Sequence, residues 1–223
     1  MAIAPGLGQR YYDLSDPIYE GMPYFPLSFP VEVEQAASVD AGGFNVHRIT
    51  MGTHHDTHVD APRHRYRDGR VLDEIDLNKF MGEGIVLDFS QKEIGSGIGA
   101  DELEKYSHLV HADEIVILYT GCSTHIGEER VRSKYTYLQK NGAEWLVEKK
   151  AKSVGIDFFS VDAYGSAESP AHSLLLASGI PIIEEISAEA RHLAGRRIYL
   201  FCLPLRMMMG DGAPARVIAY LLE

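Results

Sequence analysis

The segment Met51–His64, MGTHHDTHVDAPRH, restricts what this chain can fold into more than any other. Ten histidines occur in 223 residues, and five of them, His47, His54, His55, His58 and His64, fall within eighteen positions. Thr57 and Val59 disfavour a helix and Pro62 would break one, so the segment is expected to be extended. At a period of two, His54, Asp56, His58, Asp60 and His64 then share one face, while His55 points to the other. Imidazole nitrogens and carboxylate oxygens on one face are ligands for divalent zinc, manganese, iron or nickel. Without thiolates a structural four-cysteine site is excluded, which leaves an open, catalytic type of site. A carboxylate between two ligand histidines can bridge two ions. The competing reading is a solvated or hydrogen-bonded histidine cluster that senses pH and holds no metal.

The rest of the chain has to carry this segment. Its length suits one domain, residues 1–223, with a sizeable core. Runs rich in Ile, Val, Phe and Tyr predict strands over Val46–Met51, Gly84–Phe89, Glu114–Tyr119, Ser153–Phe158, Pro181–Glu185, Arg197–Leu203 and Ala215–Leu221. Helices are expected over Ala100–Tyr106, Gly142–Lys150 and Pro170–Ser178, the last capped by Gly179. The Gly210-Asp211-Gly212 step between the final strands predicts a hairpin. These elements argue for an α/β fold, a single mixed domain with substantial antiparallel sheet. Pro5, Pro17, Pro23, Pro26 and Pro30 make the N-terminal third extended and turn-rich. Tyr24, Phe25 and Phe29 in it either pack loops on the core or wall a substrate pocket.

Composition narrows the partners. A formal charge of -11 repels phosphate backbones and anionic lipid, so nucleic acid is not expected as a partner. Apolar stretches such as Ile115–Leu118 and Ser173–Ile183 are too short or interrupted to cross a bilayer, which takes about 20 residues. Met1–Arg10 lacks the pattern of a secretory leader, and a cytoplasmic location is expected. Cys122 and Cys202 lie far apart and read as two buried thiols.

His54, Thr57, His58, Asp60, Pro62 and His64 resemble the H-x-G-T-H-x-D-x-P-x-H signature of the cyclase family, which includes bacterial kynurenine formamidases and isatin hydrolases. The similarity continues through Asp68–Arg70, Val154–Asp162, Pro170–Glu185 and Leu203–Val217 and so spans nearly the whole chain. The resemblance implies a swivelling β/β/α type of fold. It implies that His54, His58 and Asp60 bind metal, that His172 and Glu184 complete a site for one or two ions per subunit, zinc or manganese, and that His64 is the catalytic acid and base. By themselves, His172 opening a helix and Glu184 ending an apolar strand read equally as a structural histidine and a buried ion-pair member. Glu185, next to Glu184, is expected to face the other side of the strand.

Two departures stand out. Asp56 occupies the position usually held by glycine, which suggests an unusual torsion angle that Asp tolerates better than most residues. Its carboxylate is expected to orient a ligand histidine. Cys122 replaces an aromatic residue that follows the Thr120-Gly121 pair in the family, and is expected to alter the pocket if it lines it. The resemblance implies a small-molecule substrate, a homo-oligomer, dimer or tetramer, and hydrolysis of an amide, formamide or lactam bond by metal-activated water. An N-formyl aromatic amine such as N-formylkynurenine is the expected substrate. Opening of an isatin-type lactam or a lactone is the alternative within enzymes, and a non-catalytic metal-binding protein the alternative outside them.

Overall fold

The computed structural model of the chain describes residues 11–222. Met1–Arg10, including Pro5, lie outside the described residues. Twelve strands occur among the described residues: β1 (Tyr11–Asp13), β2 (Glu32–Ala37), β3 (Val46–Thr50), β4 (His58–Asp60), β5 (Met81–Asp88), β6 (Gly97–Ile98), β7 (Ile115–Tyr119), β8 (Tyr137–Leu138), β9 (Ser153–Ile156), β10 (Ile182–Glu184), β11 (Arg197–Pro204) and β12 (Gly212–Leu221). Eight of them form one sheet in the order β1-β12-β11-β5-β7-β9-β10-β4. A further pairing of β12 with β4 closes seven of these strands into a barrel, with β1 added outside β12.

The sheet is mixed. The pairings β5–β7, β7–β9 and β9–β10 are parallel, whereas β11 with β5 and β12, and β4 with β10 and β12, are antiparallel. The parallel strands are the continuous apolar runs of the sequence because both of their faces are covered. Alternate residues separate into two layers. Val86, Ile115, Ile117 and Ile183 join Val59, Ile198, Leu200, Ala213 and Val217 in one buried cluster. Ile85, Leu87, Val116, Leu118, Val154, Ile156 and Ile182 face the other way and pack beneath helices. Those helices are α1 (Ala100–Leu103), α3 (Lys140–Glu148) and α4 (Pro170–Ala177), α2 being the short turn Glu129–Arg132. Ala143 and Leu146 of α3 and Ala171, Leu175 and Leu176 of α4 are the apolar residues they bury. α4 begins with Pro170 at its first turn and ends before Gly179, which adopts φ +68°.

The elements expected from the sequence are present with shifted ends, and the final two strands, β11 and β12, do pair antiparallel as a hairpin, though not through a tight Asp-Gly turn. Pro204 pairs with Ala215, so residues 205–211 form a longer connection. β12 runs back to Gly212 because its first residues pair with β4 and close the barrel. Gly212 is glycine for a reason of space, since a Cβ there would sit 2.5 Å from His54 Cε1 and 2.6 Å from Val59 O. The hairpin of β2 and β3, which carries His47, is almost wholly exposed and lies apart from the barrel sheet.

Asp157, just beyond β9, ties two strand ends together. Its buried carboxylate accepts from Thr120 N and Oγ1 at 2.7 and 2.6 Å, from Gly121 N at 2.9 Å and from Ser123 Oγ at 2.8 Å. Removing the acceptor strands several buried donors at once. We expect Asp157→Ala to lower the unfolding free energy by about 3 kcal/mol in denaturant titrations, and Asp157→Asn to lose less. A loss below about 1 kcal/mol for the alanine variant would show that this carboxylate does not hold the two strand ends together.

Candidate active site

The register of β4 positions the site. Antiparallel pairing sets Glu184 opposite His58 and Ile182 opposite Asp60. Directly opposed residues share a face of the sheet, so His58, Asp60 and Glu184 emerge together on the side away from Val59 and its cluster. The first turn of α4 lies over that face and brings in His172. On the other flank of β4, Gly212 stands opposite Asp60 and leaves room for His54.

The extended reading of the segment holds only for His58–Asp60. His54 comes from a turn, and His64 from the 3-10 turn Pro62–His64. The chain turns before β4 because Asp56 adopts φ 57°, the left-handed conformation that explains why glycine would fit there. Asp56 acts on the site through its backbone. Its carbonyl oxygen accepts from His58 Nδ1 at 2.7 Å, while its own carboxyl is buried and pushed up to about 6, chiefly by burial. The hydrogen bond to His58 comes from this carbonyl, and among the described residues the Asp56 carboxylate makes none to a histidine. His55 does point away, its ring fixed by Gly52 N at 3.0 Å and Phe29 O at 2.5 Å.

Asp60 is the centre of the arrangement and is fully buried. His54 Nδ1 lies 2.6 Å and His58 Nε2 3.2 Å from its Oδ1, and His172 Nε2 lies 3.3 Å from its Oδ2. Burial favours its neutral form, but the three imidazoles outweigh that and hold its carboxyl well below the ordinary range. Glu184 closes the set, with Oε1 3.3 Å from His172 Nε2 and Oε2 3.6 Å from His58 Nε2. His64 lies at the rim, its ring centroid 3.8 Å from that of His54 and 5.8 Å from that of His172. Every metal-binding residue expected from the sequence is thus brought to one place.

Two residues that hold the histidines were not singled out in the sequence. Asp162 accepts from His172 Nδ1 at 2.6 Å and from the backbone N–H groups of Ala171 and His172 at 2.9 and 3.0 Å. Asp211 Oδ2 lies 3.2 Å from His54 Nε2, and its Oδ1 accepts from Thr53 Oγ1 at 3.1 Å. Burial pulls the His54 pKa down, but Asp60 and Asp211 overcome this and hold it at about 9. Burial acts on His172 in the same sense, and Glu184, Asp162 and Asp60 carry it well above its ordinary value. His64 differs, since burial lowers its pKa against the opposing pull of Asp60, with His54 and His172 adding to the decrease.

This donor set fits a divalent metal. His58 and His172 each use Nδ1–H on an acceptor, so in the neutral form each turns an Nε2 lone pair toward carboxylate oxygens. Lone pairs then face lone pairs unless a proton or a metal cation lies between them. Asp60 Oδ2 is moreover buried without a hydrogen-bond partner. Two overlapping sets, His54/Asp60/His64 and His58/Asp60/Glu184, each have their ligand atoms within 4.8 Å of one another, with Asp60 common to both. His64, expected to act only as acid and base, is therefore also within reach of the ligand cluster.

A cavity of about 390 Å³ opens over the cluster and is lined by Phe25, Ser28, His54, His58, His64, Arg65, Phe159, Ser160, Ser169, His172 and Glu184. Phe25 meets Phe159 edge-on at 6.4 Å. Of the N-terminal aromatics, Phe25 thus walls the cavity, whereas Tyr24 and Phe29 pack against His55. Cys122 does not line it. The thiol is fully buried with Val131, Tyr135 and Phe158, behind the cavity wall, and burial pushes its pKa up. Glu185 lies buried off the opposite side, with φ 54° and its carboxyl raised well above normal by burial and by Asp56. No helix of the described residues is long and apolar enough to cross a membrane.

A family model described as "Putative cyclase" matches residues 12–163. A kynurenine formamidase of Bacillus cereus is 31% identical over 210 residues, covering 94% of this chain and 96% of that protein. The solved structure of a potential metal-dependent hydrolase with cyclase activity is similar at a TM-score of 0.80 and 25% identity, covering 96% of this chain and 99% of the other. Isatin hydrolase A from Ralstonia solanacearum shares the fold at a TM-score of 0.84 and 22% identity, covering 96% and 92%.

Histidine ligands held by a carboxylate lose about 10- to 100-fold in metal affinity when it is removed. We expect Asp162→Asn to weaken binding of zinc or manganese to that extent in competition titrations with a chelator, with the fold retained. Unchanged affinity would mean that His172 needs no support from Asp162.

Proposed function

The chain belongs to the cyclase family, and from that premise we propose that it is a metal-dependent amide hydrolase of the arylformamidase kind, cleaving an N-formyl aromatic amine such as N-formylkynurenine to the free amine and formate. The observation that carries this reading is Asp60, a buried carboxylate shared by three imidazoles with one oxygen left without a hydrogen bond. His54, His58, Asp60, His172 and Glu184 hold the metal. These residues would serve one or two ions, with Asp60 central to the set and zinc or manganese suited to its nitrogen and oxygen donors. We read residues 1–223 as one cyclase-like domain of swivelling β/β/α type, working in the cytoplasm as a homodimer or tetramer.

When bound, the metal supplies Lewis acidity to the scissile carbonyl and brings the pKa of water from 15.7 to about 7. The remaining tasks fall to side chains. With its pKa lowered, His64 is neutral at pH 7 and accepts a proton from the attacking water. Oxygen adds to the formyl carbon, the C–N bond breaks, and His64 returns the proton to the leaving nitrogen. The amine departs, and formate leaves with release of one further proton. Phe25 and Phe159 give the aryl group an apolar wall. Asp162 and the Asp56 carbonyl engage Nδ1 of His172 and His58, which would leave Nε2 of each to hold a metal.

Turnover of N-formylkynurenine, simpler aryl formamides and isatin-type lactams by metal-loaded protein tests the reading. We expect formamide hydrolysis to vanish on chelation and return with zinc or manganese. His64→Ala should lower kcat by about 100- to 10,000-fold with bound metal retained. Loss of metal along with activity would make His64 a ligand, and absence of turnover on every amide and lactam would sink the hydrolase reading.

The pH profile carries a sign. A base whose pKa is lowered by burial stays unprotonated through neutral pH, so kcat should hold level from pH 7 toward pH 8 and fall only on acidification past the ordinary histidine range. A rate that rises on acidification in stopped-flow or steady-state assays would contradict His64 as the base.

A further inference from the structure

One cation in the active-site cavity has no part in the hydrolysis described above. Arg65 directly follows His64 and lines the same cavity. Its Nε donates to Ser173 Oγ at 3.1 Å, and its Nη2 donates to the backbone oxygen of Glu168 at 2.8 Å. Both acceptors are neutral and both flank the start of α4, so the guanidinium is oriented without being neutralised. Among the described residues no carboxylate pairs with it, although the chain carries 32 acidic residues against 21 basic ones. Nη1 has no hydrogen-bond partner among the described residues and is available to a ligand.

The cavity therefore presents an aromatic wall, Phe25 and Phe159, the histidine and carboxylate cluster, and a fixed positive charge at the rim. A planar guanidinium binds a carboxylate through parallel hydrogen bonds and retains its charge at any working pH. We propose that Arg65 recognises a carboxylate on the substrate, so that the preferred substrate class is an anionic aryl amide, an N-acylated aromatic amine that also bears a carboxylate. This inference rests on the hydrolase reading. Arg65 is a specificity residue, acting on substrate choice and leaving bond cleavage to its neighbours.

The test compares matched substrates on metal-loaded protein: N-formyl-2-aminobenzoate against N-formyl-2-aminobenzamide, and 3-(2-formamidophenyl)propanoate against its carboxamide. A hydrogen-bonded charge pair predicts a preference of about 10- to 100-fold in kcat/KM for the better-fitting carboxylate, expressed mainly in KM. Arg65→Met should bring that ratio close to one with bound metal retained, and Arg65→Lys should restore part of it. Equal kcat/KM for acid and amide in the native protein, or a preference that survives in Arg65→Met, would overturn the proposal. If native protein cleaves none of the four, the hydrolase reading is decided by the formamides and lactams named above, and calorimetric binding of 2-aminobenzoate against 2-aminobenzamide still decides on Arg65. Tighter carboxylate binding that is lost in Arg65→Met supports it, and equal binding refutes it.

Discussion

The interaction on which the rest of this structure depends is the convergence of three imidazoles on the buried carboxylate of Asp60. An ionised carboxylate removed from water costs several kcal/mol unless cations or strong donors surround it. Here the surroundings are themselves titratable, and each histidine is held by a second acceptor: Asp211 for His54, the Asp56 carbonyl for His58, Asp162 for His172. Such an arrangement stores negative charge around a few ångströms of space. Protons can balance it, and a divalent cation balances it with fewer particles and better geometry. The chain's surplus of acidic residues is partly explained by this, because carboxylates such as Asp60, Asp162 and Glu184 serve inside the fold as well as on its surface.

Barrel closure is what makes that convergence rigid. β4 is only three residues long, yet it is clamped between β10 and β12. One partner contributes Glu184 opposite His58, and the other contributes Gly212 opposite Asp60, where any side chain would collide with His54. A slip of one residue in this register would turn Val59 toward the site and bury His58 and Asp60 in the apolar layer. The apolar cluster behind Val59 therefore sets the geometry of the polar cluster in front of it. α4 adds His172, and its first turn is held by Asp162, which accepts from the backbone N–H groups of Ala171 and His172.

Much of this was readable from residue order, and the limits of the reading have physical causes. Strand-forming runs were visible because buried parallel strands are continuous in Ile, Val and Leu, and His54, His58, Asp60 and His64 were visible because imidazoles are rarely so dense. That His172 and Glu184 join them over more than a hundred residues followed only from family resemblance, since no local pattern encodes which strands become neighbours. The alternation rule assigned His54, Asp56 and His64 to one face with His58, but a left-handed residue at Asp56 and a 3-10 turn at Pro62 interrupt the strand on both sides. Asp56 was correctly read as a torsion-tolerant replacement for glycine, while its influence on His58 passes through a carbonyl that every residue possesses. Whether Cys122 lines the pocket could not be read from its place after Thr120-Gly121, and it lies behind the wall. Asp162 and Asp211 escaped notice because a carboxylate that supports a histidine has no fixed spacing from it.

Metal content of Asp60→Ala beside the native protein, measured by elemental analysis after loading with zinc or manganese, tests whether the site is built on Asp60, with circular dichroism to establish that both are folded. If Asp60 is the shared ligand around which the site is built, the native protein retains one or two ions per chain through dialysis and the folded variant retains none. A folded Asp60→Ala protein that keeps its full complement of metal would contradict the account.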